Sequence, residues 1–120
     1  MTIPSVEFYA GINEEIINVS LRRNKTTGIR NVVLFFSRMK AIEKFKSFTG
    51  KSYGDLRLTD EEGQITVTPS SMKFIFKGEE GDETQRVECG FEIEQDSDWE
   101  RFMRFMNRYA QANGMEYKDR

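Results

Sequence analysis

The chemistry open to this chain is limited first by a missing residue type, because its 120 residues include no histidine. Histidine is the side chain whose ordinary pKa lies near neutrality, the usual general base and the commonest metal ligand. A Ser–His or Cys–His dyad is therefore impossible, and a zinc site would have to come from one cysteine and carboxylates. That cysteine, Cys89, falls on the apolar side of an alternating run with Val87, Phe91 and Ile93. It reads as a small core residue, and a buried thiol is inert. Two acidic runs, Asp60-Glu61-Glu62 and Glu79 to Glu83, could gather a divalent cation, but neither has the spacing of a calcium loop. Both read as solvated hairpin tips. No glycine-rich loop joins a strand to a helix, so a nucleotide site has no support. The residues point to no catalytic site, no metal and no cofactor, and hence to a protein that works by binding.

The basic residues are the better candidates for such work. Between Asn18 and Tyr53 stand Arg22, Arg23, Lys25, Arg30, Arg38, Lys40, Lys44, Lys46 and Lys51 against Glu43 alone. Between Gly54 and Glu100 acids prevail instead, although the chain as a whole has a formal net charge of only −2. A solvated face mixes signs, whereas a split of this kind gives a surface direction for long-range steering. With Phe35, Phe36, Phe45 and Phe48 interleaved, the basic stretch fits an acidic protein segment, an anionic membrane surface or a nucleic-acid strand. An acidic isoelectric point argues against the last of these. A second set, Arg101, Arg104 and Arg108, reads as a stripe on the outer face of a helix. Glu100 is placed to pair with Arg104 at i,i+4, but Arg104 and Arg108 repel at that same spacing, a cost with no evident partner to offset it. The candidate partner-binding residues are thus Arg22, Arg23, Arg30, Arg38, Lys40, Arg101, Arg104 and Arg108.

The elements that carry these residues are mostly strands. Val6 and Phe8 alternate with polar neighbours in a short strand ended by Gly11. Ile17, Val19 and Leu21 alternate from Ile16 to Arg23, and Asn24 to Gly28 is turn chemistry returning the chain as a hairpin. The returning run contains Val32-Val33-Leu34-Phe35-Phe36, which is either covered on both faces or bears an apolar patch on one. Met39 to Phe48 suits a short helix or an irregular turn. Leu56 to Thr59 and Ile65 to Thr68 make a second hairpin, with Gly63 suited to a positive φ. Pro69 separates it from a third, Met72 to Lys77 with Gln85 to Glu94.

The segment from Asp96 to Gly114 is a helix. Ser97 with Glu100 has the spacing of a capping box, Asp96 and Asp98 suit the positive end of the helix dipole, and Gly114 suits its stop. Trp99, Phe102, Met103, Met106, Tyr109 and Ala110 share one face, with Phe105 on its margin. The fold class is α+β: one domain over residues 1–120, an antiparallel arrangement of six to seven strands packed against one C-terminal amphipathic helix. Nothing approaches the roughly 20 apolar residues of a membrane span. The N-terminal residues lack secretory or transit character, so a soluble protein in a reducing compartment is expected.

Two stretches carry a family resemblance. Trp99-Glu-Arg-Phe-Met-Arg-Phe-Met-Asn-Arg-Tyr-Ala-Gln-Ala-Asn-Gly114 resembles the C-terminal signature of the Psb28 family of photosystem II assembly factors. Leu56-Arg-Leu-Thr-Asp-Glu-Glu-Gly-Gln-Ile65 is similar to that family's hairpin. Lys40 to Lys51 and Ser70 to Glu83 depart from the common pattern, as in a divergent second paralogue. The resemblance implies a non-catalytic accessory factor on the cytoplasmic side of the thylakoid membrane, peripheral and without a transmembrane segment. Its implied partners are photosystem II core subunits, namely the reaction-centre proteins and the C-terminal tail of the inner antenna, which would be met by sheet extension. Neither a small-molecule substrate nor a nucleic acid is expected.

Overall fold

A computed structural model describes residues 3–9, 11–37, 55–77 and 83–115. The expected run of a short helix or turn at Met39 to Phe48 lies outside these residues, as does the turn of the third hairpin. Among these residues seven strands and one helix follow one another: β1 (Ser5–Glu7), β2 (Asn18–Arg23), β3 (Arg30–Phe36), β4 (Leu56–Asp60), β5 (Gly63–Val67), β6 (Ser71–Lys77), β7 (Glu83–Ile93) and α1 (Asp96–Asn113). The architecture is α+β, and the strands divide between two antiparallel sheets. One has the order β1-β4-β5, the other β2-β3-β7-β6. Pro69 falls between β5 and β6, where the chain passes from one sheet to the other.

Alternation decides what each sheet buries. In β3, Val32, Leu34 and Phe36 are fully buried. They stand in register with Phe91, Cys89 and Val87 of β7, and Val32 and Leu34 face Leu21 and Val19 of β2. The uninterrupted apolar run of β3 is therefore core on one face. Its other face is half-covered, with the Arg86 guanidinium 5.9 Å from the centre of the Phe35 ring. In the smaller sheet, Leu56, Leu58 and Asp60 of β4 are all buried, with Val6 opposite Leu58. Asp60 is thus a carboxylate at a core-facing position.

The helix lies against β7 of one sheet and β4 of the other, which widens the arc it must bury. Phe105 is for this reason fully buried beside Phe102, Met106 and Tyr109, although the helical repeat alone leaves it on the margin. Phe91 and Phe102 meet edge to face at 5.6 Å, and Phe8 and Phe36 do so at 5.8 Å, joining the two sheets. The buried Tyr109 hydroxyl accepts a hydrogen bond from the Ile16 N–H at 2.8 Å.

The two ends of α1 differ from one another in how they match expectation. Gly114 stops the helix in the left-handed conformation, φ 63°, its N–H bonded to the Ala110 carbonyl. The start is not the capping box of Ser97 and Glu100. The helix begins earlier, with extended Gln95 as N-cap and no side-chain cap bond. Asp96 enters the first turn instead, where its carboxylate meets Arg30 at 2.9 Å. An ion pair with β3 therefore stands where local capping was expected.

Candidate interaction surface

The arginines of α1 do not form an outward stripe. Positions 101, 104 and 108 share a helix face, and that face looks onto the hairpin joining β4 to β5. Arg101 grips the Asp60 carboxylate with both terminal nitrogens, Nη1 to Oδ2 at 3.0 Å and Nη2 to Oδ1 at 2.6 Å. It also donates to the Gly63 carbonyl at 3.2 Å. Arg104 forks onto Glu62, Nε to Oε2 at 2.8 Å and Nη2 to Oε1 at 3.1 Å. Arg108 bridges the pair, donating to Asp60 Oδ2 at 3.0 Å and to Glu62 Oε2. The repulsion between Arg104 and Arg108 has its compensation here, because the Glu62 carboxylate sits between them.

Backbone geometry delivers these acids. Asp60 pairs with Gly63 across a two-residue loop of Glu61 and Glu62, and Gly63 takes the positive φ, 125°. The Glu62 N–H donates to Asp60 Oδ1 at 2.9 Å, which fixes the turn from inside. Burial alone would raise the Asp60 pKa. Hydrogen bonds from Arg101, Arg108 and the Glu62 N–H more than offset it and hold the group at about 2. Hydrogen bonds from Arg104 and Arg108 likewise hold Glu62 at about 2. The turn expected to be a solvated tip is therefore a clamp, and the three guanidiniums around it oppose any cation between Asp60, Glu61 and Glu62.

Arg30 is also spent within the fold. Beyond its pair with Asp96, its guanidinium lies 5.2 Å from the centre of the Trp99 ring, and its side chain is only 15% exposed. Arg22 and Arg23, by contrast, are exposed on β2, with exposed Lys25 in the turn beyond them. Arg38 and Lys40 lie outside the described residues. Cys89 is buried, and burial pushes its thiol pKa up to about 12, which removes it as a nucleophile.

The strand edges are not equivalent, judged among the described residues. The outer side of β1 is occupied, since the Val6 N–H donates to Asn13 Oδ1 at 3.1 Å and the Val6 carbonyl accepts from the Glu14 N–H at 2.7 Å. The pairing of β6 with β7 shifts between Ile75 and Phe76, where Gln85 of β7 is the extra residue, and such a bulge adds local twist at that edge. β5 carries no charged residue. β2 keeps an unbroken six-residue register with β3 and holds the exposed Arg22 and Arg23. It is the edge best suited to an anionic extended segment.

Comparison with known proteins settles the lineage. The family model described as "Psb28 protein" matches residues 6–117. The chain belongs to the Psb28 family. It is 31% identical to the "Photosystem II reaction center Psb28 protein" of Acaryochloris marina, over 94% of this chain and 95% of that protein. Its identity is 34% to the protein so named in Pyropia yezoensis, over 94% of each chain. For that of Synechococcus sp. strain JA-3-3Ab it is 35%, over 92% of this chain and 95% of the relative. Within this Psb28 chain, the two stretches that carry the resemblance, the helix and the Asp60–Gly63 hairpin, are the two halves of the arginine clamp. Among its described residues no helix is long and apolar enough to cross a membrane.

Proposed function

We propose that this Psb28-family chain is a non-catalytic accessory factor that binds transiently to photosystem II assembly and repair intermediates on their cytoplasmic face. The observation that carries the reading is the β2 edge with Arg22 and Arg23, unbroken in register and without a further strand among the described residues, on a chain whose relatives are named for the photosystem II reaction centre. An antiparallel edge can take up a partner's extended segment as a further strand, with main-chain bonds for affinity and side chains for choice. The C-terminal tail of the inner antenna would occupy it, while the reaction-centre proteins and the thylakoid surface lie alongside. Arg101, Arg104 and Arg108 act here by holding the fold, and the docking cations are Arg22 and Arg23.

Tagged protein recovered from detergent-solubilised thylakoids tests this reading. Photosystem II subunits should co-elute with it, and more of them in strains stalled during assembly. Elution free of every photosystem II subunit in both strains would overturn it. The rival reading, a nucleic-acid module built on Arg22 to Lys51, is weakened by the engagement of Arg30 with Asp96 and Trp99. It would require a gel shift that declines steeply with salt.

A further inference from the structure

The bonding pattern of β2 specifies more than a basic edge. The Asn24 N–H donates to the Ile29 carbonyl at 2.9 Å, continuing the register in which Arg23 faces Arg30. Inward and outward main-chain groups alternate along an antiparallel strand. Arg22 and Ser20 therefore bond toward β3, and the N–H and C=O of Val19, Leu21 and Arg23 point away from the sheet. An independent contact agrees. The Val19 N–H is taken by Asn18 Oδ1 at 2.9 Å, which requires that it not face β3. At the same point the Ile17 N–H bonds the Phe35 carbonyl at 2.8 Å, ending the regular edge. Among the described residues the open stretch thus runs from Val19 to Arg23, its Val19 end covered by the Asn18 amide.

Side chains follow the same alternation. Val19 and Leu21 lie on the side of the core and are only partly buried against it. Ser20 and Arg22 lie on the opposite face, and Arg23 is exposed beside the hairpin tip. An added antiparallel strand places each of its residues beside one of these five.

We infer that the β2 edge selects an acidic segment of a partner protein with the pattern acid–acid–apolar–hydroxyl–apolar, set against Arg23, Arg22, Leu21, Ser20 and Val19 in that order, and that Asn18 competes for its last main-chain bond. This inference rests on the proposed reading of the β2 edge as the docking site. The apolar positions complete the cover of Leu21 and Val19, and the carboxylates meet the two guanidiniums. The pattern cannot slip by one residue, because a slip turns every side chain to the wrong face. Asn18 covers the Val19 donor, so the last apolar residue of the pattern gains its main-chain bond to Val19 only by displacing that amide.

The test uses the full chain and fluorescent peptides read by anisotropy. Three are needed: Asp-Asp-Val-Thr-Ile within a neutral flank, the same composition with polar and apolar positions exchanged, and the first peptide N-methylated at its valine. The patterned peptide should bind at least about tenfold tighter than either control. Arg22→Glu should weaken it by a similar factor, and Asn18→Ala should tighten binding of the patterned peptide, because the Val19 N–H is then free for its last residue. Equal binding of the patterned and exchanged peptides would overturn the inference in favour of charge alone. Equal binding of the N-methylated peptide, or no binding of the patterned one, would overturn strand addition at this edge. Co-purification with photosystem II reads separately, so failure here and failure of the wider reading remain distinguishable.

Discussion

Arg101 and Asp60, 41 residues apart in sequence, share a bidentate contact in which the Asp60 side chain is wholly buried and the Arg101 side chain one-fifth exposed. The contact ties the last element of the chain to the turn of the smaller sheet. Because Asp60 is buried and satisfied by three donors, it is the member whose loss should be felt most.

Asp60→Asn should destabilise the fold by about 3 kcal/mol, because it leaves Arg101 beside a neutral amide in a largely dry site. Urea unfolding followed by Trp99 fluorescence measures it. Arg104→Ala should move the midpoint little, since its side chain is half exposed at 49%. An Asp60→Asn protein with an unshifted midpoint would mean that the clamp contributes nothing.

Acid should act through the same two carboxylates. Asp60 and Glu62 are depressed from 3.8 and 4.5 to about 2. A depressed folded-state pKa contributes stability that is complete above the unfolded value and is lost as the pH falls toward the folded one. Melting temperature should therefore be level above about pH 5 in this respect and decline between about pH 4.5 and 2. In an Asp60→Asn, Glu62→Gln protein that decline should flatten. Parallel curves for the two proteins would refute the assignment.

Gly90 offers a test of sheet packing. A Cβ there would come 2.5 Å from Ser71 Oγ, while the Gly90 carbonyl accepts from the Ser70 N–H at 2.7 Å and holds the strands together. Gly90→Ala should cost about 1–3 kcal/mol through overpacking. The same change in a Ser71→Ala background should cost much less, since Ser71 Cβ is 3.8 Å from the added methyl. Equal costs in both backgrounds, again by urea titration, would assign the effect to backbone conformation instead.

Cys89 should resist alkylation at neutral pH until the protein unfolds, because its thiol is buried and its pKa raised to about 12. Iodoacetamide labelling followed by mass spectrometry, with and without urea, should give rates that track global unfolding. Rapid labelling of the native protein would contradict this.

How far the sequence foretold all this depends on the range of each interaction. The alternation of Val87, Cys89, Phe91 and Ile93 marks the core face of β7, and Gly114 marks the end of the helix, because both signals are local. The destination of Arg101, Arg104 and Arg108 was not legible, since their partners lie 38 to 48 residues away. The unbalanced spacing of Arg104 and Arg108 was the one clue that a carboxylate must approach them. The contacts of Arg30 were illegible for the same reason, as nothing near it in sequence announces Trp99 or Asp96. The capping box failed because the helix begins one residue before Ser97, with Gln95 as N-cap and no side-chain cap bond. Phe105 was misplaced because a single helical face was counted where two sheets converge.

The placement of α1 bears on how the chain can be made. On a ribosome, the β2–β3 hairpin has its partner within reach early, but β1 must wait unpaired until β4 emerges about fifty residues later. The helix comes after every strand, yet it supplies Phe102, Phe105, Met106 and Tyr109 to the interior. Until it is released, the side chains of β4 and β7 that meet it lack part of their cover, so the native core of this design cannot be complete before the helix has formed.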